Sequence, residues 1–355
     1  MSLRNQNARE ILLLWVNAAS SQALEFSCDD GFPWSALELI CQKCGIETPE
    51  ELGFCVNCRM RLIPRSRYDL NPDDFAYPPD LNAIETIKVT GALPYIVKRL
   101  AAADFEKTLV SNLSVEAHKV TYPSYIDTLA RQCAMLLSID FLPEVFITEG
   151  GPPNAFTFGS EEQAHVVMDS SLFGVLTPTE LMAVIAHELG HVKSGHMMYH
   201  TLAEVLGGGI SLSASLMGLD VLSIPVRFAL LAWHRESEVT ADRTSLLAVN
   251  DIKVLGSLLH KLASRGAASL DHPEMEERKV GMLEAVGELF RTHPLDSNRF
   301  KLAKEFWQSQ EFQTARQKIE LRQRLRRALV PVCRFCGQSK SAEDLFCLKC
   351  GRCQT

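Results

Sequence analysis

Apolar residues follow two different spacings along the chain. Short apolar runs typical of strands occur at residues 144–148, 154–158 and 165–168, and glycines and prolines separate the first two. Helical spacing of apolar residues begins near Leu81, before this block, and resumes at Thr177. The pattern predicts an α+β fold in which a mostly helical domain carries a small β-sheet ahead of its central helix.

The central helix has a well-marked start. Thr177 suits the N-cap, Pro178 suits the first helical position, and Glu180 completes a capping box. Apolar residues then recur at helical spacing: Leu181, Val184, Ile185, Leu189 and Val192. We therefore predict a helix with one apolar face that begins directly after Thr177.

A basic helix is predicted over residues 314–330. Leu321, Leu325 and Leu329 recur every four residues and predict one apolar stripe. The segment also carries basic residues: Arg316, Lys318, Arg322, Arg324, Arg326 and Arg327. We interpret it as a solvated connecting helix, and binding to an anionic surface of lipid or nucleic acid is the alternative.

Two apolar segments are candidates for targeting or membrane contact. Residues 11–16 are too short for the core of a secretory signal and predict an amphipathic helix. Residues 202–233 are interrupted by charges such as Glu204, Asp220 and Arg227, so no clean run of about 18–20 apolar residues remains. We interpret the second segment as a buried helical hairpin, with peripheral membrane contact as the alternative.

The composition is that of an ordinary folded protein. The 355 residues are 46% hydrophobic and 22% charged, which excludes a disordered tail, a collagen-like repeat and a coiled-coil rod. The 36 basic and 43 acidic residues give a net charge of −7, so a globally basic nucleic-acid binder is not expected.

Eight of the 11 cysteines form C-x-x-C pairs arranged in two units of identical spacing. Cys41, Cys44, Cys55 and Cys58 form the first unit, and Cys333, Cys336, Cys347 and Cys350 form the second. Four thiolates close a zinc tetrahedron, so each unit predicts a zinc ribbon with a structural rather than catalytic ion. Zinc-bound sulfur must stay reduced, which favours a reducing compartment, most simply the cytoplasm.

These features divide the chain into successive parts. Residues 1–63 are expected to hold an N-terminal helix and a zinc ribbon, and residues 64–80 a linker rich in proline and aspartate. Residues 81–312 form the helical domain with the sheet, residues 313–330 the basic helix, and residues 331–355 the C-terminal ribbon.

The chemistry is concentrated in an H-E-x-x-H motif, His187-Glu188-Leu189-Gly190-His191, on the predicted central helix. Positions four apart share a helix face, so both histidines can bind one zinc ion. Glu188 then lies beside the metal, where it can take a proton from the attacking water. Such a catalytic site needs a third protein ligand and one open position.

The third ligand must come from elsewhere in the chain. Ser194 and Met197 stand where a metzincin has glycine and histidine, so that class is excluded. A later helical segment offers Glu236 and Glu238. Asp242 follows Glu238 by one helical turn, so this pair can serve as a ligand and as the hydrogen-bond acceptor for a ligand histidine. Glu236 is expected to be solvated.

From about Leu81 to Arg299 the chain resembles the HtpX-like, CAAX-prenyl-protease-type zinc metalloendopeptidases, which are gluzincins. Beside the H-E-x-x-H helix, the resemblance rests on Pro153-Asn154-Ala155-Phe156, on Glu238, Ala241 and Asp242, and on Thr292-His293-Pro294 with Arg299. It implies that Glu238 is the third zinc ligand and that Asn154, Ala155, Phe156 and Arg299 lie at the substrate cleft. The family's membrane members carry transmembrane helices before the zinc motif, and none is predicted here.

The resemblance implies hydrolysis of peptide bonds in protein substrates with one catalytic zinc ion. The two structural zinc ions are expected from the cysteine spacing, because the ribbons lie outside the region of resemblance. Glu188 is the expected general base and Asp242 supports the site, while residues 154–158 pair with an extended substrate. His293 is expected to stabilise the oxyanion or to occupy the open zinc position. His196 and His200 are expected to be structural.

Two alternatives remain open. The ribbons are expected to recruit substrates or protein partners, and a catalytically idle adaptor that binds protein or nucleic acid through them is the second hypothesis. Presence of both histidines and Glu188 argues against an idle enzyme. A membrane-associated protease, with its active site on the cytoplasmic side and residues 202–233 as anchor, is the third.

Overall fold

The computed structural model describes the chain in seven stretches: residues 38–49, 52–89, 105–159, 163–197, 199–200, 224–268 and 297–329. Several predicted features lie outside these residues. They are the N-terminal helix, His293, the C-terminal cysteines Cys333, Cys336, Cys347 and Cys350, and residues 202–223 of the candidate membrane segment.

A short antiparallel pair, β1 (Glu38–Ile40) and β2 (Glu47–Pro49), contains the first cysteine pair of the N-terminal unit between its strands. The predicted sheet follows and has four strands. Its strands are β3 (His118–Lys119), β4 (Glu144–Thr148), β5 (Ala155–Gly159) and β6 (Ala164–Asp169), in the order β3-β4-β6-β5. Strands β4 and β6 are parallel and the other pairs are antiparallel. Strand β5 is therefore the outermost strand of this sheet on one side.

The two faces of the sheet bury different side chains. Ala155, Val166 and Met168 face the main core of the helical domain. Phe156 and Phe158 belong to a second apolar cluster with Phe146, Val167 and Leu113. Because successive residues of a strand point to opposite faces, Thr157 shares the face of Ala155 rather than that of the two phenylalanines.

Helices account for most of the remaining described residues. They are α1 (Pro78–Val89), α2 (Phe105–Glu116), α3 (Tyr125–Leu136), α4 (Pro178–Lys193), α5 (Ile224–Val249), α6 (Ile252–Ala268), α7 (Ser297–Trp307) and α8 (Gln310–Leu329). No helix among these described segments is both long enough and apolar enough to cross a membrane.

Helix α4 begins as its sequence predicts. The Thr177 hydroxyl accepts a hydrogen bond of 3.3 Å from the Glu180 backbone N–H, and a Glu180 carboxylate oxygen accepts one of 2.7 Å from the Thr177 N–H. Pro178 occupies the first position. The capping box therefore satisfies two donors that the first turn leaves without intrahelical partners.

Helices α4 and α5 pack closely through small and polar residues. A methyl group at Gly190 would collide with the Thr244 hydroxyl, which donates a 2.9 Å hydrogen bond to the Ala186 carbonyl. Ser245 donates a 2.7 Å bond to the Ala183 carbonyl in the same way. This close approach places the acidic residues of α5 directly against α4.

The segment predicted as a linker, residues 64–80, packs into the core instead. Leu70 and Phe75 are fully or almost fully buried within the main core, and Asp80 is fully buried at the start of α1. Proline and aspartate mark irregular backbone, but the apolar residues between them supply enough buried surface to hold the segment in place.

The basic helix α8 also differs from its prediction. Arg316 donates a 2.9 Å hydrogen bond to the Leu247 carbonyl, and Lys318 lies 2.6 Å from an Asp74 carboxylate oxygen. The helix buries Phe312, Ala315 and Ile319, whereas Leu321 of the predicted stripe is 40% exposed. Arg316 and Lys318 therefore bind groups of the same domain.

Candidate metal centre

Three side chains from α4 and α5 converge on one point. The Nε2 atoms of His187 and His191 lie 3.3 Å apart. Glu238 on α5 places Oε2 3.3 Å from His187 Nε2 and Oε1 3.4 Å from His191 Nε2. All three residues are buried, so the two histidines of the motif and the predicted third ligand form one cluster.

The spacing of these donors fits a zinc ion. Nitrogen or oxygen ligands about 2.0–2.1 Å from a tetrahedral zinc lie about 3.3 Å from one another. The 3.3 Å separation of the two histidine Nε2 atoms matches that tetrahedral edge, and each of these nitrogens has one of the two Glu238 carboxylate oxygens 3.3–3.4 Å away. Two imidazoles and one carboxylate are also ligand types that zinc accepts, and they leave a fourth position open.

Asp242 and Arg299 lie behind the ligands. Asp242 Oδ1 is 3.3 Å from His187 Nδ1, so the carboxylate can accept the proton of that ring and leave Nε2 facing the metal position. Arg299 on α7 binds Asp242 through Nε and Nη2, both at 2.7 Å, and its Nη1 lies 3.2 Å from Glu238 Oε2.

The predicted placement of Arg299 in the substrate cleft therefore differs from its position in the structure. Its side chain is 6% exposed and is committed to two buried carboxylates. One guanidinium compensates part of the negative charge that Glu238 and Asp242 bring into the interior. Without a cation, two buried carboxylates so close together would be strongly unfavourable.

The charges of the cluster shift the pKa values of the two histidines in opposite directions. Burial lowers the pKa of His187, but contacts with Asp242 and Glu238 outweigh it and raise the pKa to about 10. Burial and neighbouring imidazoles lower the pKa of His191 to about 3 despite Glu238. The carboxylates thus favour a cation between the rings, and a metal ion would take the place of that proton.

Glu188, the predicted general base, is held by a residue that sequence analysis missed. Thr157 on β5 donates a 2.7 Å hydrogen bond from Oγ1 to Glu188 Oε2. Glu188 is 2% exposed, and it directly follows His187 and precedes His191 by three positions in α4. Strand alternation places Thr157 on the inner face with Ala155, but nothing in the sequence indicates that this face meets Glu188.

The predicted substrate-binding residues of β5 and the preceding loop lie near this base. Ala155 and Phe156 are both 7% exposed, and the Asn154 carbonyl accepts a 2.9 Å hydrogen bond from the Asp169 N–H. The Phe156 side chain packs in the second apolar cluster, on the sheet face opposite Ala155. Its side chain therefore contributes to the core.

Further buried histidines surround the site. His196, His200 and His234 are each 2–6% exposed and lie beside the ligands. His196 Nδ1 is 3.2 Å from His191 Nδ1, and His200 Nε2 is 2.6 Å from Ser237 Oγ. Two more groups of donors thereby overlap the first: His191, His196 and His200, and also His200, His234 and Glu238.

The first four-cysteine unit is also assembled. Cys41 Sγ and Cys58 Sγ lie 3.4 Å apart, and Cys44 Sγ and Cys55 Sγ lie 3.5 Å apart. Sulfur ligands about 2.3 Å from a tetrahedral zinc lie about 3.8 Å apart, so these pairs are close to a zinc geometry. Hydrogen bonding from the Ile46 backbone leads the effects that lower the pKa of Cys44 to about 6, which favours a thiolate.

This unit is joined to the rest of the protein. Phe54, next to Cys55, is fully buried in the main core, and Arg131 of α3 donates a 2.8 Å hydrogen bond to its carbonyl. Arg59 donates a 2.8 Å bond from Nε to the Leu142 carbonyl. The unit is therefore built into the domain that carries His187 and His191.

The chain is similar to known metallopeptidases over its central part. The chain is 34% identical over 208 residues to the plastoglobule-localized metallopeptidase 48, chloroplastic, of Arabidopsis thaliana, an alignment that covers 57% of this chain and 59% of that protein. It is 28% identical over 213 residues to protease HtpX of Psychrobacter sp. (strain PRwf-1), covering 51% and 69% of the two chains. It is 26% identical over 189 residues to a protease HtpX homolog of Campylobacter curvus (strain 525.92), covering 44% and 66%.

These relatives extend beyond the matched region, and the first is matched over only 59% of its length. The profile of Peptidase family M48 matches residues 123–306, which is more than half of the 355 residues and includes His187, His191 and Glu238. The chain belongs to Peptidase family M48.

Proposed function

We propose that this protein is a zinc metalloendopeptidase that hydrolyses peptide bonds in protein substrates. The observation that carries the proposal is the buried cluster of His187, His191 and Glu238. The two histidine Nε2 atoms lie 3.3 Å apart, each has a Glu238 oxygen 3.3–3.4 Å away, and Glu188 follows His187 in the chain. Membership of Peptidase family M48 supports the same activity.

Each residue of the site has a distinct role in this proposal. A zinc ion held by His187, His191 and Glu238 would acidify a water molecule and polarise the scissile carbonyl. The Glu188 carboxylate accepts the proton of the attacking water and passes it to the leaving amine. Thr157 fixes the orientation of that carboxylate through its 2.7 Å hydrogen bond.

We propose that the substrate peptide lies alongside β5. The support is that β5 is outermost in the sheet and that its residue Thr157 contacts Glu188. In this arrangement Ala155 supplies the backbone contact to the substrate and Asn154 and Phe156 flank it, because the Asn154 carbonyl is bonded to the Asp169 N–H and alternate residues of β5 direct their backbone groups toward β6. Arg299 acts as a positioning residue for Glu238 and Asp242 rather than as a substrate ligand, because it is buried against both.

We propose a structural zinc at Cys41, Cys44, Cys55 and Cys58, and a second at the C-terminal cysteines on the strength of their identical spacing. The connection of Phe54 and Arg59 to the domain favours a stabilising role for the first unit. Zinc-bound thiolates also favour a reducing compartment such as the cytoplasm.

The test is cleavage of casein by the wild type and by Glu188→Gln, with zinc content measured on both. The variant keeps the size of the side chain but removes the proton acceptor. We expect cleavage to be lost while both proteins hold about three zinc ions per chain. Zinc-loaded wild type that leaves casein and other unfolded proteins uncleaved would overturn the proposal and favour the adaptor hypothesis.

A further inference from the structure

His196 is a buried imidazole beside the metal centre that the proposed mechanism does not use. It follows the end of α4 and is 2% exposed. One ring nitrogen, Nδ1, lies 3.2 Å from His191 Nδ1. The other, Nε2, lies 3.2 Å from Asp80 Oδ2 on α1. His196 thus links a proposed zinc ligand to a buried carboxylate.

We propose that His196 and Asp80 are positioning residues that orient His191 toward the metal through a continuous Asp80–His196–His191 hydrogen-bond relay. This inference rests on the proposed zinc site, and it assigns a role to a histidine that sequence analysis treated as structural.

The positions of the protons follow from the two ends of the relay. His191 binds the metal through Nε2, so the proton of its neutral ring must be on Nδ1. That N–H donates to His196 Nδ1, which must therefore be an acceptor. The proton of a neutral His196 is then on Nε2, where it donates to Asp80. One arrangement of protons satisfies every contact.

Hydrogen bonds from α5 fix the Asp80 carboxylate at the end of the relay. Trp233 Nε1 donates a 2.7 Å hydrogen bond to Oδ1, and Thr240 Oγ1 donates to Oδ2. Burial raises the pKa of Asp80, but the hydrogen bonds from His196, Thr240 and Trp233 outweigh it and keep the pKa low. The residue is therefore a carboxylate at neutral pH, and its position is set by α5 as well as by α1.

Through the relay, each of the two ligand histidines is hydrogen-bonded to a buried carboxylate. His187 donates directly to Asp242, whereas His191 reaches a carboxylate through His196. A hydrogen-bonded carboxylate fixes the tautomer and orientation of a ligand imidazole and raises its basicity, and loss of such a partner typically weakens metal binding about 10–100-fold.

The decisive variant is His196→Ala, compared with His165→Asn as a matched control. His165 on β6 is also a buried histidine beside a carboxylate, that of Glu144, but it belongs to none of the donor groups at the metal centre. We would measure the zinc dissociation constant by competition with a chelator, and the visible absorption of the cobalt(II)-substituted protein. His196→Ala should weaken zinc binding about 10–100-fold and shift the cobalt bands, and His165→Asn should do neither.

A second variant covers the case in which His196→Ala does not fold. In His196→Asn the amide oxygen can still accept from His191 Nδ1, but the side chain is too short to reach Asp80. We expect an intermediate loss of zinc affinity. Equal zinc affinities for wild type, His196→Asn and the control His165→Asn would overturn the relay.

Three other outcomes would also overturn the relay. If His187→Ala keeps the same zinc equivalents as wild type, the zinc site itself is wrong, and the relay fails with it. If both His196→Ala and His200→Asn lose a whole additional zinc equivalent, these histidines hold a second metal ion instead. An unchanged affinity of His196→Ala, with the His187→Ala loss intact, would refute the relay alone.

Discussion

The guanidinium of Arg299 binds the carboxylate of Asp242 through two hydrogen bonds of 2.7 Å. The pair is buried, and the remaining guanidinium nitrogen lies 3.2 Å from Glu238. Burial lowers the pKa of Arg299, but Asp242 and Glu238 outweigh it and raise that pKa above its usual value. Helix α7 thereby supplies a fixed positive charge to the back of the metal centre.

Replacing Arg299 should destabilise the protein and its metal site. Arg299→Met leaves two buried carboxylates without their cation, and breaking such a buried pair costs about 3–5 kcal/mol. Arg299→Lys should recover only part of the lost stability, because an ammonium group cannot make the bidentate contact with Asp242. Urea unfolding and zinc content measure both effects. A raised KM with unchanged stability would instead mean that Arg299 binds substrate.

Thr157→Val should slow catalysis without releasing zinc. The variant is nearly isosteric and removes the hydrogen bond to Glu188. A hydrogen bond to a charged group is worth about 1.5–3 kcal/mol, so kcat should fall at least about tenfold. Thr86→Val, at an exposed threonine on α1, is the matched control and should leave kcat unchanged. Equal rates for the two variants would refute the role of Thr157.

Loss of the first four-cysteine zinc should weaken the whole peptidase domain. Cys55→Ser removes one ligand next to Phe54, which lies in the main core. We expect about 3 kcal/mol or more of lost stability, which lowers Tm by about 6–12 °C in a domain of this size. Scanning calorimetry and zinc content check this.

Cys133→Ala is the matched control for that experiment. Cys133 is a fully buried cysteine outside the four-cysteine cluster, so its replacement should retain all zinc. If Cys55→Ser loses zinc but unfolds at the wild-type temperature, the unit is an independent module and not part of the domain's support.

Acid should remove the contribution of Glu180 to the free energy of unfolding. Burial raises the pKa of this carboxylate, but hydrogen bonds from Lys261, Thr177 and Ser257 outweigh it and lower the pKa from 4.5 to about 2. Because the unfolded chain binds this proton more readily, the stabilisation is complete above about pH 5 and is lost as pH falls toward about 2.

The matching variant is Glu180→Gln. It should cost about 1–2 kcal/mol at neutral pH, and its difference from wild type should shrink as pH falls below about 4.5. Denaturation at several pH values measures the difference. A difference that is constant from neutral pH down to about pH 3 would show that Glu180 acts through packing and not through its charge.

Local patterns predicted the parts of this molecule that depend on neighbouring residues. The capping box at Thr177 and Glu180 and the strand runs are set within a few positions, and the structure contains both. The one-turn spacing of Glu238 and Asp242 likewise placed both beside His187.

Contacts between distant segments were not predictable in this way. Thr157 meets Glu188 because β5 packs on α4, and Asp80 meets His196 because α1 packs beside the metal centre. Residues 64–80 read as a linker because proline and aspartate dominate them, although Leu70 and Phe75 are core residues. Such contacts depend on tertiary packing, which the spacing of apolar residues along the chain does not predict.

The most direct test of the account is a comparison of Glu238→Gln with Glu236→Gln, with zinc content and casein cleavage measured on both. The two glutamates are two positions apart on α5, so they face different sides of the helix. We predict that Glu238→Gln loses one zinc equivalent and all cleavage, while Glu236→Gln keeps both. Retention of zinc and cleavage in Glu238→Gln, or their loss in Glu236→Gln, would contradict the proposed metal centre.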